Sequence, residues 1–210
     1  MDEKRNHAGE FGETPDDATI ERMLTAVRPR LQRALGRIAR PRVHVGIVNS
    51  PIGRLLIADG PRGLLAVKYL DSGSGDETIA EMRPRFDLIE DPASASQVVG
   101  EIEQFLKGDL EAVERRRVDL SLVESDFQRR TLMRLRTVPA GSVVTYASLA
   151  AAVGAPSSQR AVGNTMASNP LPIYIPCHRV IRGSGELGGY RWGVRRKEKL
   201  LEMERLERHR

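Results

Sequence analysis

The chain has 210 residues and a mass of 23.3 kDa, enough for one ordinary domain or two small ones with a buried core. Its 40% hydrophobic and 29% charged residues fit a soluble globular protein, and no apolar run approaches the roughly 18 residues of a membrane span. The net charge of +5 is unevenly spread: residues 126–210 carry 15 Lys and Arg against 6 Asp and Glu, residues 1–125 carry 18 against 22, and a basic half of this kind suits a polyanion, although chance would serve as well.

Residues 1–17 mix charge, glycine and proline without periodicity and read as a disordered head. They hold no apolar signal-peptide core, so a cytoplasmic protein is expected. Ile20, Met23, Leu24, Val27, Leu31, Leu35 and Ile38 then recur at helical spacing, and Pro29 makes this one bent helix or two short ones. Val43–Val48, Leu55–Ala58 and Leu64–Tyr69 read as strands separated by turn residues, which predicts a three-stranded antiparallel meander. A Gly/Ser/Asp loop follows over 71–76, then a short helix over Val98–Leu106 that Gly108 ends. Residues 110–122 read as extended, with Glu114–Arg117 on a solvated edge.

The second half changes character. Asp126 is a candidate N-cap for a helix through Arg136, with Phe127, Leu132 and Leu135 inward. Thr145–Val153 is a second helix, and Ser157 or Ser158 can cap a third that runs through Ala167. Two short helices joined across Gly154-Ala155-Pro156 form a helix-turn-helix, a pattern that many helix pairs share without touching DNA.

Residues 173–181 read as an apolar strand entering Pro176-Cys177-His178-Arg179. Cys177 is the sole cysteine, which excludes an internal disulfide and every multi-cysteine zinc site; no metal and no cofactor are expected. A cysteine attacks as thiolate, and a neighbouring base or cation promotes that form. Neighbours on an extended strand point to opposite faces, however, so Cys177 and His178 would need a turn or a bridging water to cooperate. A buried structural cysteine explains the pair equally well. Gly183–Tyr190 is a flexible loop able to shape a pocket, and Val194–Arg208 is the last helix. Glu204 shares the inward face of Leu200 and Leu201 and needs a partner there, for which His178 is available; a surface glutamate is the alternative.

Taken together, several of these pieces resemble the O6-alkylguanine-DNA alkyltransferase family. They are Arg160-Ala161-Val162-Gly163, Asn169-Pro170, Pro172, Ile175–Val180, Gly188, Tyr190 and the helix bearing Lys197, Leu200, Leu201 and Glu204. The likeness is weaker over the meander and leaves about the first 40 residues uncovered. It implies an α+β fold: a small N-terminal antiparallel-sheet domain of ribonuclease H type, then a helical, winged-helix-like DNA-binding domain carrying the reactive cysteine. The expected domains are an extension over 1–40, a scaffold over 41–122 and a transfer domain over 123–210.

The resemblance further implies stoichiometric, irreversible transfer of an alkyl group from O6-alkylguanine, and from O4-alkylthymine, onto Cys177. In that scheme Glu204 orients His178, which removes the thiol proton through a water, Tyr146 protonates the leaving base, and Asn169 holds the cysteine turn. Arg160 fills the space of the extruded nucleotide, and Ser158, Gln159, Ala161 and Gly163 share its contact with DNA. Pro172, Val180, Leu187, Gly188, Tyr190 and Arg191 line the base pocket. The implied partner is double-stranded DNA, with no membrane and a monomeric protein. Two other classes fit parts of the pattern: a damage-binding module that accepts nothing, which the presence of Cys177 opposes, and a Cys-His hydrolase, which the basic half opposes.

Overall fold

The protein is described from a computed structural model covering residues 16–36, 40–71 and 75–208. It has two units, residues 1–40 and 41–210. In the first, α1 (Asp17–Gly36) is one continuous helix that runs through Pro29. The Asp16 carboxylate accepts the Thr19 amide at 2.8 Å at its start. Ile20, Met23, Leu24 and Val27 are exposed. Most of the head read as disordered, residues 1–15, lies outside the described residues.

The second unit opens with the meander: β1 (Arg42–Ser50), β2 (Gly53–Gly60) and β3 (Gly63–Tyr69), antiparallel neighbours in that order. A fourth strand, β4 (Asp87–Glu90), pairs in parallel with the other side of β1, giving the order β3-β2-β1-β4. Both faces of the sheet are covered, which is why Leu55–Ala58 is apolar without alternation. Leu55, Ile57, Val67 and Tyr69 face one core, and Leu56, Ala58 and Leu65 face another with Met82 and Phe86. Met82 ends α2 (Asp76–Met82), and α3 (Pro92–Leu106) lies on the first core through Val98, Ile102 and Phe105. A Cβ at Gly46 would stand 2.6 Å from that of Ala95, so only glycine lets α3 approach β1 this closely.

Several expectations are corrected here. The helix read as Val98–Leu106 begins at Pro92, because Asp91 caps it by accepting the Ser94 amide at 3.0 Å. Residues 110–122 are mostly turns; only Val118 bridges to the sheet, beside Leu64. Arg116 leaves the predicted solvated edge to pair with Asp59 and, at 2.5 Å, with Glu101.

Beyond residue 123 the fold is helical, completing an α+β architecture. Ser125, not Asp126, caps α4 (Asp126–Arg136); Asp126 is its first helical residue and pairs with Arg129 at 2.5 Å. β5 (Val144–Thr145) leads into α5 (Tyr146–Ala152), where Thr145 and Ser148 form a capping box. α6 (Gln159–Ala167) follows; Ser158 stands at its N-cap position without a capping hydrogen bond. The chain then reaches β6 (Val180–Ile181), which pairs in parallel with β5, and α7 (Val194–Arg208). One hydrophobic cluster joins Leu55 and Ile57 of the sheet to Leu132, Leu149, Val162 and Cys177.

Candidate active site

The strand expected over 173–181 is instead a compact turn. Ile173 takes a positive φ of 76°, the Ile175 amide donates back to the Leu171 carbonyl at 2.8 Å, and Cys177–Arg179 form one turn of 3-10 helix. Only Val180 and Ile181 are strand, and their pairing sets Val144 opposite Val180, bringing the start of α5 to the cysteine turn. Polar braces fold this apolar stretch. Asn169 accepts the Leu171 amide at 3.0 Å and donates to the Ile175 carbonyl at 2.8 Å. The same amide nitrogen lies 3.1 Å from the Cys177 sulfur.

Cys177 is buried, and burial pushes its thiol up from the ordinary value. The Asn169 amide, the Lys197 charge and the Tyr190 hydroxyl act against that rise. His178 and Glu204 are fully buried and meet at 2.8 Å through Nε2 and Oε1. Burial favours a charged carboxylate least, yet the bonds from His178 and Arg179 outweigh it and bring Glu204 down to about 2. Glu204 is therefore ionised and can only accept, so Nε2 of His178 carries the proton. Its Nδ1, buried and without a partner among the described residues, is then the basic nitrogen. Burial also pushes the imidazole below its ordinary value, keeping it neutral.

Two side chains of the turn and of α7 had no role assigned from sequence. Arg179 grips Glu204 at 2.8–3.1 Å and the Val138 carbonyl at 2.5 Å, while the Gly141 amide donates to the same carboxylate at 3.1 Å. Lys197 is buried and donates to the carbonyls of Val180, at 2.5 Å, and Leu187. Burial pulls its ammonium down to about 8, against the opposing charge of Cys177. The positions 197, 200, 201 and 204 share one helical face, which was the available signal for Lys197.

The other predicted residues fall into three places. Tyr146, half-buried, opens α5; burial and then Cys177 raise its hydroxyl. Gly188 lies against it: a Cβ there would be 3.5 Å from the Tyr146 oxygen, at a φ of +68° that favours glycine. Leu187 and Tyr190 are half-buried on the same loop, which the Arg182 and Glu186 backbones close at 2.9 Å rather than leave open. Pro172 is buried in the same turn and bridges to Ile175. Gln159, Arg160 and Ala161 are exposed along the start of α6, beside the partly covered Ser158 and Gly163. Arg160 makes no hydrogen bond or ion pair among the described residues, whereas Arg191 is tied to the Ala167 carbonyl at 3.0 Å. A cleft of about 490 Å³ is lined by Asn169, Arg191 and Trp192 on one side and Val67 and Lys68 on the other; Cys177 is not in its wall.

A buried cysteine next to a buried His–Glu pair, on the turn that follows a helix-turn-helix, is an arrangement of the kind that cysteine-nucleophile proteins on DNA-binding scaffolds use. Residues 126–206 match the family model described as 6-O-methylguanine DNA methyltransferase, DNA binding domain. The methylated-DNA–protein-cysteine methyltransferase of Mycobacterium tuberculosis (strain H37Rv) is 36% identical over 163 residues, 78% of this chain and 93% of that protein. The bifunctional transcriptional activator/DNA repair enzyme Ada of Escherichia coli K12 is 38% identical over 167 residues, 77% of this chain; this chain spans only 45% of that protein's length. The crystal structure of M. tuberculosis OGT in complex with DNA superposes with a TM-score of 0.66 at 36% identity, covering 79% of this chain and 94% of that one. The chain belongs to the methylated-DNA–protein-cysteine methyltransferase family.

Proposed function

We propose that this protein repairs alkylated DNA by direct reversal, moving the alkyl group of O6-alkylguanine, and of O4-alkylthymine, onto Cys177. The observation that carries this reading is the buried thiol next to a neutral His178 whose Nδ1 has no partner among the described residues, on the turn after a helix-turn-helix whose exposed Arg160 makes no ion pair among them. In the reaction the S–C bond forms as the O6–C bond breaks. His178 Nδ1 takes the thiol proton through a water, and Tyr146 gives a proton to the departing base. Glu204 and Arg179 fix the imidazole, Asn169 fixes the turn, and the Gly188 loop with Tyr190 and Arg191 encloses the base. A thioether has no easy hydrolytic exit, so each molecule reacts once.

Because the reacting atom is inaccessible while the base is stacked, the nucleotide must leave the duplex, and Arg160 with Ser158, Gln159, Ala161 and Gly163 is the surface that meets the DNA. We read residues 1–40 as an extension, 41–122 as a scaffold and 123–210 as the transfer domain of a cytoplasmic monomer. Intact mass spectrometry after mixing with an O6-methylguanine duplex tests the reading. The wild type gains one methyl group at Cys177, and Cys177→Ser gains none while still binding duplex. A wild type that binds the lesion without gaining mass is a recognition module instead.

A further inference from the structure

The turn that carries Cys177 contains a strained residue. Among the described residues Ile173 alone, glycines aside, has a positive φ, at 76°. A β-branched side chain is an outlier there, and such strain lasts only where surrounding contacts impose it. The Ile173 side chain is also 1% exposed, so glycine, which would accept the backbone freely, would leave a hole in the core.

The sheet half of the chain grips this turn on both sides of Ile173. Before it, the Val67 amide of β3 donates to the Pro170 carbonyl at 2.8 Å. After it, Tyr174 reaches α3, where its hydroxyl donates to Glu101 Oε2 at 2.9 Å, with the Val98 carbonyl at 3.2 Å. Glu101 is itself fixed: its other oxygen takes Arg116 at 2.5 Å, and Arg116 also pairs with Asp59 of β2. Tyr174 is buried, and burial together with the Glu101 charge keeps the phenol protonated as a donor. A phenylalanine ring would fill the same space in the core. The hydroxyl adds a charge-assisted bond from the cysteine turn to a carboxylate that cannot move.

Movement at residue 174 is passed to the nucleophile over a short path. The next carbonyl, that of Ile175, accepts both the Asn169 side-chain amide and the Cys177 backbone amide, each at 2.8 Å. The Cys177 sulfur lies 3.1 Å from the same Asn169 nitrogen. A turn that relaxed at Ile173 would carry the Ile175 carbonyl, and with it the thiol, away from Asn169.

We propose that Tyr174 is a positioning residue for Cys177: its bond to Glu101, together with the Val67–Pro170 bond, holds the strained Ile173 turn in the conformation that presents the thiol. The sheet and α3 then contribute to transfer as well as to packing. This rests on Cys177 being the alkyl acceptor. Tyr174→Phe keeps the ring and leaves Glu101 its bond to Arg116, so the fold survives the change.

The test measures two rates on the whole protein, at a temperature well below the melting point of every variant. One is transfer from O6-benzylguanine as a function of its concentration; the other is labelling of Cys177 by N-ethylmaleimide without substrate. Expected for Tyr174→Phe is a loss of about ten-fold in the saturated transfer rate, the scale of one charge-assisted hydrogen bond, with the half-saturating concentration little changed. Labelling should become faster, because the thiol is buried only while the turn is anchored. Glu101→Ala leaves the hydroxyl the more distant Val98 carbonyl and should slow transfer less, by about three-fold, and the double variant should be no slower than Tyr174→Phe. Saturated transfer at the wild-type rate in Tyr174→Phe overturns the inference, whatever the melting temperature does. So does labelling that slows along with transfer, since the hydroxyl would then act on the thiol and not on the turn. Losses that multiply in the double variant overturn it too, because Glu101 would then act by another route. A wild type that takes nothing from O6-benzylguanine removes the transferase reading itself, and the labelling rates still report the turn.

Discussion

Glu204 holds His178 and Arg179 at once, and that double duty decides what its replacement does. Glu204→Gln removes the carboxylate from a buried guanidinium, a change that costs about 3 kcal/mol or more where one partner of a buried pair is lost. Its melting temperature should fall clearly, and its transfer rate will mix a lost base with a loosened turn. His178→Ala is the cleaner probe: it should slow O6-benzylguanine transfer while Arg179 still neutralises the carboxylate. If the three side chains act as one unit, the double variant transfers no more slowly than the worse single one, and multiplying losses would separate the roles. Acid should weaken the fold by two routes. The Glu204 carboxyl is depressed to about 2 from an ordinary 4.5, so its stabilisation is complete above 4.5 and disappears as pH falls toward 2. His178 is depressed below 6.5, so the unfolded chain takes up that proton first and stability already declines below 6.5. Melting temperature against pH should therefore lose its upper, near-neutral slope in His178→Ala and keep the lower one.

At the scale of elements, the site depends on turns more than on helices. Gly188 permits a left-handed backbone against Tyr146 and the Arg182 side chain, where a Cβ would meet Cγ at 3.3 Å. Gly188→Ala carries the left-handed penalty of about 1–2 kcal/mol and presses on the Tyr146 hydroxyl. Transfer from O6-benzylguanine should slow with only a small drop in melting temperature; an unchanged rate would place Tyr146 outside the reacting pocket. The same turns mark what was legible in the sequence. The meander, α4, α5, α6 and α7 were readable because each has its own periodicity and punctuation. β4 was not, being four residues whose pairing with β1 is a long-range contact. α2 and the first turns of α3 were equally silent to apolar periodicity, although Asp91-Pro92 is a capping signal in plain view. The stretch 173–181 looked like a strand because its residues are apolar and β-branched. Asn169, a residue outside that stretch, folds it back by bonding to its carbonyl and to the amide before it. The Cys–His–Glu relation was partly readable from the placement of Glu204 among leucines, whereas the grip of Arg179 on that carboxylate required the fold.

Across the whole molecule, the surplus of positive charge lies in residues 126–210, the part that also carries the exposed start of α6. Two roles for Arg160 follow from that position, and they predict different behaviour. Arg160 has no partner among the described residues to lose, so Arg160→Ala should leave the melting temperature where it is. If the side chain fills the gap left by an extruded guanine, it matters only when the base starts inside a duplex. Unstacking and unpairing cost a few kcal/mol, so its loss should slow duplex repair substantially, on the order of 100-fold, while free O6-benzylguanine, which needs no extrusion, reacts almost as before. If Arg160 instead contacts phosphate, its removal weakens binding to all duplexes alike and lowers the salt slope by about one counterion. Single-turnover rates on both substrates at saturating protein, with salt titrations of binding, separate the two. Equal slowing of duplex and free base would assign Arg160 to the pocket and end the extrusion role.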